Sequence, residues 1–176
     1  NRFAGRTQQA LETGERSLAI AKELDLTEQV AYTLNDLCHI YNRVGFYDKT
    51  QQALHETQAL WRKLDNQPML ADSLSTAAYV HAFTGDYEAS LSFSKEAREI
   101  SQAIRNVWGL AYSQWLVGTV YWEQGLPQKA IAAMSECIGF ADEAGFAVAQ
   151  TYLRADLADA FVFLDRSFDR QTLGQV

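Results

Sequence analysis

The sequence predicts an all-α protein, an array of antiparallel helix pairs, from a pattern that recurs every 40 residues. A glycine marks each turn, and small residues stand five places after it and seven places before it. Repetition at one fixed spacing is typical of a repeat array, in which each unit buries its apolar face against its neighbours. The glycines are Gly5, Gly45, Gly85 and Gly125; the small residues are Ala10, Thr50, Ser90 and Ala130, and Cys38, Ala78, Gly118 and Ala158.

The composition argues against several classes of protein. Hydrophobic residues make up 48% of the 176-residue chain, enough for a core, and an aromatic content of 12% argues against disorder. A net charge of −7 argues against nucleic-acid binding, which needs Lys and Arg to displace counterions. The sequence has no apolar run of about 18 residues and no signal-peptide pattern, so we expect no membrane span and a cytoplasmic location.

The first predicted element is a helix over residues 7–24, the second member of a pair whose first helix is absent from the sequence. We therefore expect the sequence to be a segment of a longer protein. A helix over 30–44 follows, because Val30, Leu34 and Leu37 begin an apolar series at steps of three and four residues.

Turn and cap residues predict where the later helices begin and end. Gly45 ends the helix before it, since glycine readily takes the left-handed conformation of a C-cap. Asp48 is expected to cap the next helix, and Pro68 suits the first turn of the one after, where its missing N–H would have no partner. Asn106 is expected to cap a later helix. The predicted helices span 49–64, 68–84, 87–104, 106–124, 127–145 and 147–164, and 167–176 starts another.

These units resemble the tetratricopeptide repeat, lengthened by about six residues through longer helices. The shared features are the small residues above, the turns Gly45-Phe46-Tyr47 and Gly85-Asp86-Tyr87, and a ring four places before each turn. The ring positions hold Tyr41, His81, Tyr121 and Phe161. Departures are Gly14 and Ser94, where the family prefers a large residue, and Gln114 and Arg154, where it prefers a bulky one.

The resemblance implies a right-handed superhelical solenoid of antiparallel helix pairs, with residues 1–176 as a single array. The repeats are a partial one over 1–27, complete ones over 28–66, 67–106 and 107–146, and a partial one over 147–176. Arrays with this longer period are similar to the sensor regions of bacterial signal-transduction ATPases and LuxR-type transcriptional activators, and somewhat to kinesin light chains.

In the family, the first helix of each pair lines a concave groove that binds partners. The groove here is expected to be aromatic, and aromatic anchors are enriched at recognition surfaces. The alternative is that long helices bury these rings between units. The candidate binding residues are Tyr32, Asn35, His39, Asn42, Arg43, Asp72, Ser75, Tyr79, Phe83, Tyr112, Trp115, Thr119, Trp122, Tyr152 and Asp159, with Ala82, Glu123, Ala155, Val162 and Phe163 on the same face.

Some members of the family clamp a C-terminal carboxylate with cationic side chains from adjacent units. Here Arg43, Asn35 and Asn42 all lie in one unit, which disfavours that activity.

The sequence lacks the patterns of an enzyme or a metal site. It contains no His-x-x-x-His, Cys-x-x-Cys, phosphate-binding glycine loop or nucleophile elbow, so no cofactor and no metal are expected. Cys38 and Cys137 fall at small positions and are expected to be buried thiols in a reducing compartment. A thiol nucleophile formed by Cys38 and His39 is disfavoured, because the two residues point to opposite sides of one helix.

The sequence therefore predicts a non-catalytic scaffold that binds a protein or peptide in its groove, within a larger regulatory protein. A small-ligand sensor segment of a transcriptional activator is the alternative, and a hydrolase of unrecognised type is a remote third. Neighbouring domains of the full-length chain are expected partners. The end faces are expected to permit self-association through Leu11, Leu18 and Ile20 at one end and Leu157, Phe161 and Leu164 at the other.

Overall fold

Helices joined by short turns make up residues 2–173, the part of the chain that the computed structural model describes, with side chains for residues 6–163. These residues form nine helices. They are α1 Arg2–Glu23, α2 Thr27–Val44, α3 Tyr47–Lys63, α4 Gln67–Thr84, α5 Tyr87–Ala103, α6 Val107–Gln114, α7 Val117–Glu123, α8 Pro127–Ala144 and α9 Ala147–Leu173.

Consecutive helices pack as pairs, which confirms the all-α fold class and the helical-repeat solenoid. The closest neighbours are α2 with α3, α4 with α5, and α8 with both α6 and α7. In each pair the small residues of the sequence pattern lie at the seam. The Ser90 hydroxyl donates to the Ala78 carbonyl at 2.9 Å, and a Cβ on Gly118 would lie 3.2 Å from the Ala130 carbonyl oxygen.

Three of the four glycines of the pattern occupy turns inside the pairs, as predicted, whereas Gly5 lies within α1, which begins at Arg2 and not at residue 7. Gly45, Gly85 and Gly125 have φ values of 82°, 82° and 71°, in the left-handed region that favours glycine. At Gly45 the turn is closed by hydrogen bonds from Gly45 N–H to the Asn42 carbonyl and from Phe46 N–H to the Tyr41 carbonyl.

A second series of left-handed residues, which the sequence analysis did not identify, lies in the turns between pairs. Asp25, Asp65 and Arg105 have φ values of 53°, 51° and 54°, and Gly145 has 67°. They lie midway between the turn glycines, so a left-handed residue ends a helix about every 20 residues from Asp25 to Gly145. Three of the four are not glycine, which explains why the pattern was not visible.

One predicted helix is divided. The expected helix over 106–124 breaks into α6 and α7, because the Trp115 N–H donates to the Tyr112 carbonyl, three residues back instead of four, at 3.3 Å. Gly109 and Gly118 make this stretch a poor helix former. The Trp115 ring packs against Phe146 with 5.5 Å between ring centroids, and both α6 and α7 contact α8.

Two further boundaries differ from the predictions. Phe46, not Asp48, is the N-cap of α3, and it makes no side-chain cap bond. The Asn106 side chain does cap α6, accepting from the Gly109 N–H at 3.0 Å. The expected new helix over 167–176 does not start, since α9 continues through this position to Leu173. Asp165 stands where the other repeats have a turn glycine.

Candidate partner-binding surface

The first helices α2, α4 and α6 form a continuous layer, and ring contacts of Trp115 with Tyr152 and of Trp122 with Phe163 join α9 to it. The backbones of α2 and α4, and of α4 and α6, approach each other closely. Within the described residues, the backbones of α1 and α3, and of α3 and α5, do not approach each other as closely. Ion pairs between long side chains join these helices instead. Because one row of helices is closer together than the other, the array curves with the first helices on its inner side. This inner layer comprises α2, α4, α6, α7 and α9.

Several of the predicted binding residues are exposed on the inner layer. Phe83 is 65% exposed, Tyr152 61%, Phe163 56% and Tyr32 42%. Contiguous exposed apolar patches mark interaction surfaces, whereas single exposed apolar side chains are common. The exposed polar residues of the predicted set are Arg43 and Asp159.

A second group of predicted residues is half-buried, with one side packed and the other open. Trp115 and Trp122 pack against the core that Ala111, Met134 and Cys137 form. Their rings therefore contribute to folding as well as to the surface. The other members of this group are His39, Asn42, Asp72, Tyr79, Tyr112 and Thr119.

Two residues that the sequence predicts to face the groove are buried instead. Asn35 is 7% exposed and Ser75 3%, and the Ser75 hydroxyl donates to the Ala71 carbonyl at 2.9 Å. The physical reason is the close approach of neighbouring first helices, which turns these positions into the seam between α2 and α4 and between α4 and α6. A partner cannot contact these side chains directly.

Asp72 joins α4 to α2 through a hydrogen bond at the edge of the inner layer. The Asn35 amide donates to an Asp72 carboxylate oxygen at 2.7 Å. Burial raises the pKa of Asp72 to about 6, the Asn35 bond opposes this rise, and the nearby charge of Asp36 adds to it. The Asn35 Oδ1 atom is buried without a hydrogen-bond partner among the described residues.

The next seam along the layer contains a similar polar contact. The Tyr112 hydroxyl lies 3.3 Å from the Thr76 hydroxyl, across α4 and α6. Burial raises the pKa of Tyr112, so this phenol stays protonated and can donate. The positions of Asp72 and Tyr112, which are equivalent in the repeat, thus both contact the preceding first helix.

Three rings form a row that leads from α2 to α4. His39 contacts Tyr79 edge to face with 5.2 Å between centroids, and Tyr79 contacts Phe83 at 4.6 Å. Burial lowers the pKa of His39, which favours the neutral imidazole at this place. The row presents an apolar, weakly hydrogen-bonding surface that ends at the exposed Phe83.

An aromatic cluster further along includes two residues that the sequence analysis missed. Trp108 lies 5.1 Å from Tyr112 and 5.2 Å from Phe146, and Phe146 also contacts Trp115. Trp115 in turn contacts Tyr152 at 6.5 Å. The spacing of Trp108, Tyr112 and Trp115, at steps of four and three, could have identified Trp108. Phe146 gave no signal, because it lies in a turn.

At the far end of the inner layer, Trp122 contacts Phe163 edge to face with 5.4 Å between centroids. Beside Trp122 is a cavity of about 210 Å³, which Glu123, Asp156 and Asp159 line with carboxylates. Burial and the neighbouring Asp159 raise the pKa of Asp156. This end of the surface is acidic as well as aromatic.

The cysteine thiols are buried and free. Burial raises the pKa of Cys38 and of Cys137 to about 12, so both thiols are protonated and poorly nucleophilic. Among the side chains of residues 6–163, no three His, Cys, Asp or Glu come together as metal ligands would. The helices described there include none that is both long and apolar enough to cross a membrane.

Part of the chain matches a known protein family. Residues 29–103 match the family model of the tetratricopeptide repeat. This segment covers most of α2 and all of α3, α4 and α5. None of the curated proteins matches the chain. Tetratricopeptide repeats generally mediate protein–protein interactions and are non-catalytic. The match supports tetratricopeptide repeats in residues 29–103, in agreement with the helix pairs, seams and turn glycines of the fold.

Proposed function

We propose that this chain is a non-catalytic interaction module that binds a protein or peptide on its inner layer. The observation that supports this most strongly is the exposure of large rings along that layer, at Phe83, Tyr152 and Phe163. Rings offer a large contact area at a low cost in side-chain entropy, so an exposed series favours recognition over a purely structural role.

The proposed contacts divide by exposure. Phe83 and Tyr152 act as anchors, since they can bury most of their surface against a partner. His39, Asn42, Tyr79, Trp115, Thr119 and Trp122 supply the half-buried floor, and Tyr32, Arg43 and Asp159 the rim. Asp72 and Tyr112 border the floor. Asn35 and Ser75 act only through the side chains and helices that they hold in place.

The charge of the chain favours a partner segment with basic residues. The net charge is −7, and three carboxylates surround the cavity beside Trp122. Complementary charge mainly speeds association and selects between partners. We therefore expect a partner that combines apolar anchors with Lys or Arg.

We further propose that all of residues 1–176 form one array, with repeats over 28–66, 67–106 and 107–146, inside a larger regulatory protein. The 40-residue period supports both points, since it continues outside the segment that matches the family and is similar to that of bacterial signalling regulators. The two buried free thiols favour a reducing, cytoplasmic location.

A small-ligand sensor is less well supported by the geometry. The cavity on the inner layer, beside Trp122, holds about 210 Å³, below the roughly 300 Å³ at which ligand pockets usually begin, and the larger groove of about 570 Å³ between α1 and α2 is open to solvent. A peptide needs no enclosed pocket, and the inner layer offers an extended surface.

The proposal can be tested with peptides selected from a displayed random library against the 176-residue chain. The double variant Phe83→Ala with Tyr152→Ala should weaken the affinity of selected peptides by about thirtyfold or more, since aromatic anchors typically contribute 2 kcal/mol or more. Both rings are more than half exposed, so the variant should unfold at nearly the same temperature as the parent.

The matched control is Tyr47→Ala, which removes a ring that is 59% exposed but lies at the start of a second helix. It should leave the affinity within about twofold of the parent, within the range of near-neutral contacts. Equal losses in the control and the double variant, or none in the double variant, would show that peptides bind elsewhere.

A further inference from the structure

Asp72 departs from the pattern of the repeat at a position on the inner layer. The residues at the equivalent positions, spaced by 40 residues or a multiple of 40, are Tyr32, Tyr112 and Tyr152. A position that holds a phenol in the other repeats does not need a carboxylate for packing. Since an ionisable side chain is costly to bury, this exception indicates a role other than folding.

The Asp72 carboxylate lacks a cation and keeps most of its accepting capacity unused. Within the described residues, the Asn35 amide is the group that bonds it, at 2.7 Å, and the ion pairs there do not include Asp72. An ionised carboxylate offers about four lone-pair sites, of which Asn35 fills one. The neighbouring charge that acts on Asp72 is a second carboxylate, Asp36 of α2.

A second acceptor beside this carboxylate also lacks a donor. The Asn35 Oδ1 atom is buried and has no hydrogen-bond partner among the described residues, and it belongs to the same amide group that donates to Asp72. Asn35 is only 7% exposed. Roughly 90% or more of buried polar groups in proteins have a partner. The shortage of donors around Asp72 therefore marks a place where a donor from outside the chain belongs.

Aromatic rings lie near the carboxylate on its own helix and on the next first helix. On α4, Tyr79 and Phe83 follow Asp72 at steps of seven and four residues, so the three share one face. On α6, the Tyr112 hydroxyl lies 3.3 Å from Thr76, which is one turn after Asp72. Burial, and to a smaller degree the charge of Asp72, raises the pKa of Tyr112. The alkyl stem of a lysine or arginine packs well on such rings while its charged end meets a carboxylate.

We propose that Asp72 determines specificity on the inner layer by taking a lysine or arginine side chain of the partner. This inference rests on the proposed function, and it assigns the basic residue of the partner to one carboxylate. The ammonium or guanidinium group donates to the lone pairs of Asp72 that Asn35 leaves open. Asn35 is a positioning residue that holds the carboxylate, and its covered Oδ1 atom is reached only through a bridging water.

A bound cation relieves a cost that the free chain carries. Burial raises the pKa of Asp72 to about 6, so at pH 7.5 the carboxylate is ionised in an unfavourable environment. A cation within hydrogen-bond distance stabilises the ionised form and offsets the repulsion from Asp36. Because the carboxylate is half-buried and already held by Asn35, the pair should gain more than an ion pair on an exposed surface does.

A double-mutant cycle between protein and peptide, measured by calorimetry at pH 7.5, tests this assignment. Peptides selected from a displayed random library against the 176-residue chain should share a lysine or arginine. Replacing that residue with methionine should weaken binding to the parent by about tenfold or more, as the coupling of close charge pairs does. Asp72→Asn should weaken the basic peptide to the same extent. The methionine peptide should bind the variant and the parent within about twofold, so the two losses are not additive.

Loss of folding does not imitate this result, because Asp72→Asn keeps a hydrogen-bonding group beside Asn35 and should be at least as stable as the parent. Asp36→Asn is the matched control. It removes the neighbouring carboxylate, which is exposed and lines the groove between α1 and α2, so affinity for the basic peptide should stay within about threefold of the parent.

Selected peptides without a shared basic residue, or a cycle in which the two losses simply add, would overturn the role of Asp72. The variant Phe83→Ala with Tyr152→Ala decides the proposed function separately. Peptides that lose affinity in that variant but show no coupling to Asp72 bind the inner layer without this contact. Peptides that respond to neither change overturn both proposals.

Discussion

Asp72 connects the stability of the fold to pH at the scale of a single residue. Its pKa is raised from 3.8 to about 6, mainly by burial, so the folded protein holds this proton more tightly than the unfolded chain. As the pH rises from 4 through 6, the folded state becomes less stable relative to the unfolded state. The ionised carboxylate therefore destabilises the fold at pH 7, and protonation at lower pH relieves that cost.

Asp72→Asn should remove this pH dependence. The neutral amide keeps a hydrogen-bonding group beside Asn35, so the variant should gain roughly 1–3 kcal/mol in unfolding free energy at pH 7.5 and little at pH 4.5. Urea unfolding at the two pH values measures the difference. Glu143→Gln, an exposed carboxylate on α8, is the matched control and should show no such gain. A variant that is less stable than the parent at pH 7.5 would contradict the account of this carboxyl.

Arg105 is a second residue whose backbone sets a local cost. It has a φ of 54°, and its side chain is exposed. Arg105→Gly should stabilise the protein by up to about 1 kcal/mol, because glycine takes the left-handed region without a Cβ clash. Gly85→Ala, at a φ of 82° with open space around the new Cβ, should cost about 1 kcal/mol. Thermal unfolding of both variants checks the pair, and opposite signs are the expected result.

At the scale of elements, close approach inside each pair depends on the small residues at the seam. Gly118→Leu should destabilise the fold by roughly 1–3 kcal/mol, since a Cβ there meets the backbone of α8 at Ala130 and Met134. Ala78→Leu should act similarly in the pair of α4 and α5. Gly139→Leu makes the same change on the open side of α8, where nothing lies within 4 Å, and should be neutral or stabilising. If all three variants unfold at the same temperature, the seam is not closely packed.

The helices could be predicted where one residue decides a boundary, and not where packing decides it. Gly45 ends a helix through its own backbone conformation and Asn106 caps one through its own side chain, so the sequence predicts both boundaries. The break between α6 and α7 depends on the contact of Trp115 with Phe146, which comes from another pair. Asp65 and Arg105 adopt the left-handed conformation, which glycine marks in a sequence more clearly than aspartate or arginine does.

The candidate surface was predictable to the same extent. The repeat places Phe83 and Tyr152 on the inner layer, and the structure exposes both. It buries Asn35 and Ser75, because the close approach of neighbouring first helices is a property of the packed array and not of one helix. The aromatic cluster around Phe146 likewise forms only when two repeats are placed together.

At the scale of the whole molecule, the account predicts a difference between the two rows of helices. The inner layer carries the exposed rings Phe83, Tyr152 and Phe163, while ion pairs such as Arg62 with Glu96 tie the outer row together. Binding should therefore depend on one side of the array and stability on both. A partner seated on the inner layer would contact several repeats at once, which suits an extended peptide.

Nuclear magnetic resonance can show whether the inner layer is the binding surface. A selected peptide would be titrated into the isotope-labelled 176-residue chain, and amide shift changes would be mapped onto the helices. The account predicts changes that cluster on α2, α4, α6, α7 and α9, around Tyr79, Phe83, Trp115 and Tyr152. Changes that cluster on α3, α5 and α8, with the inner layer unaffected, would contradict it.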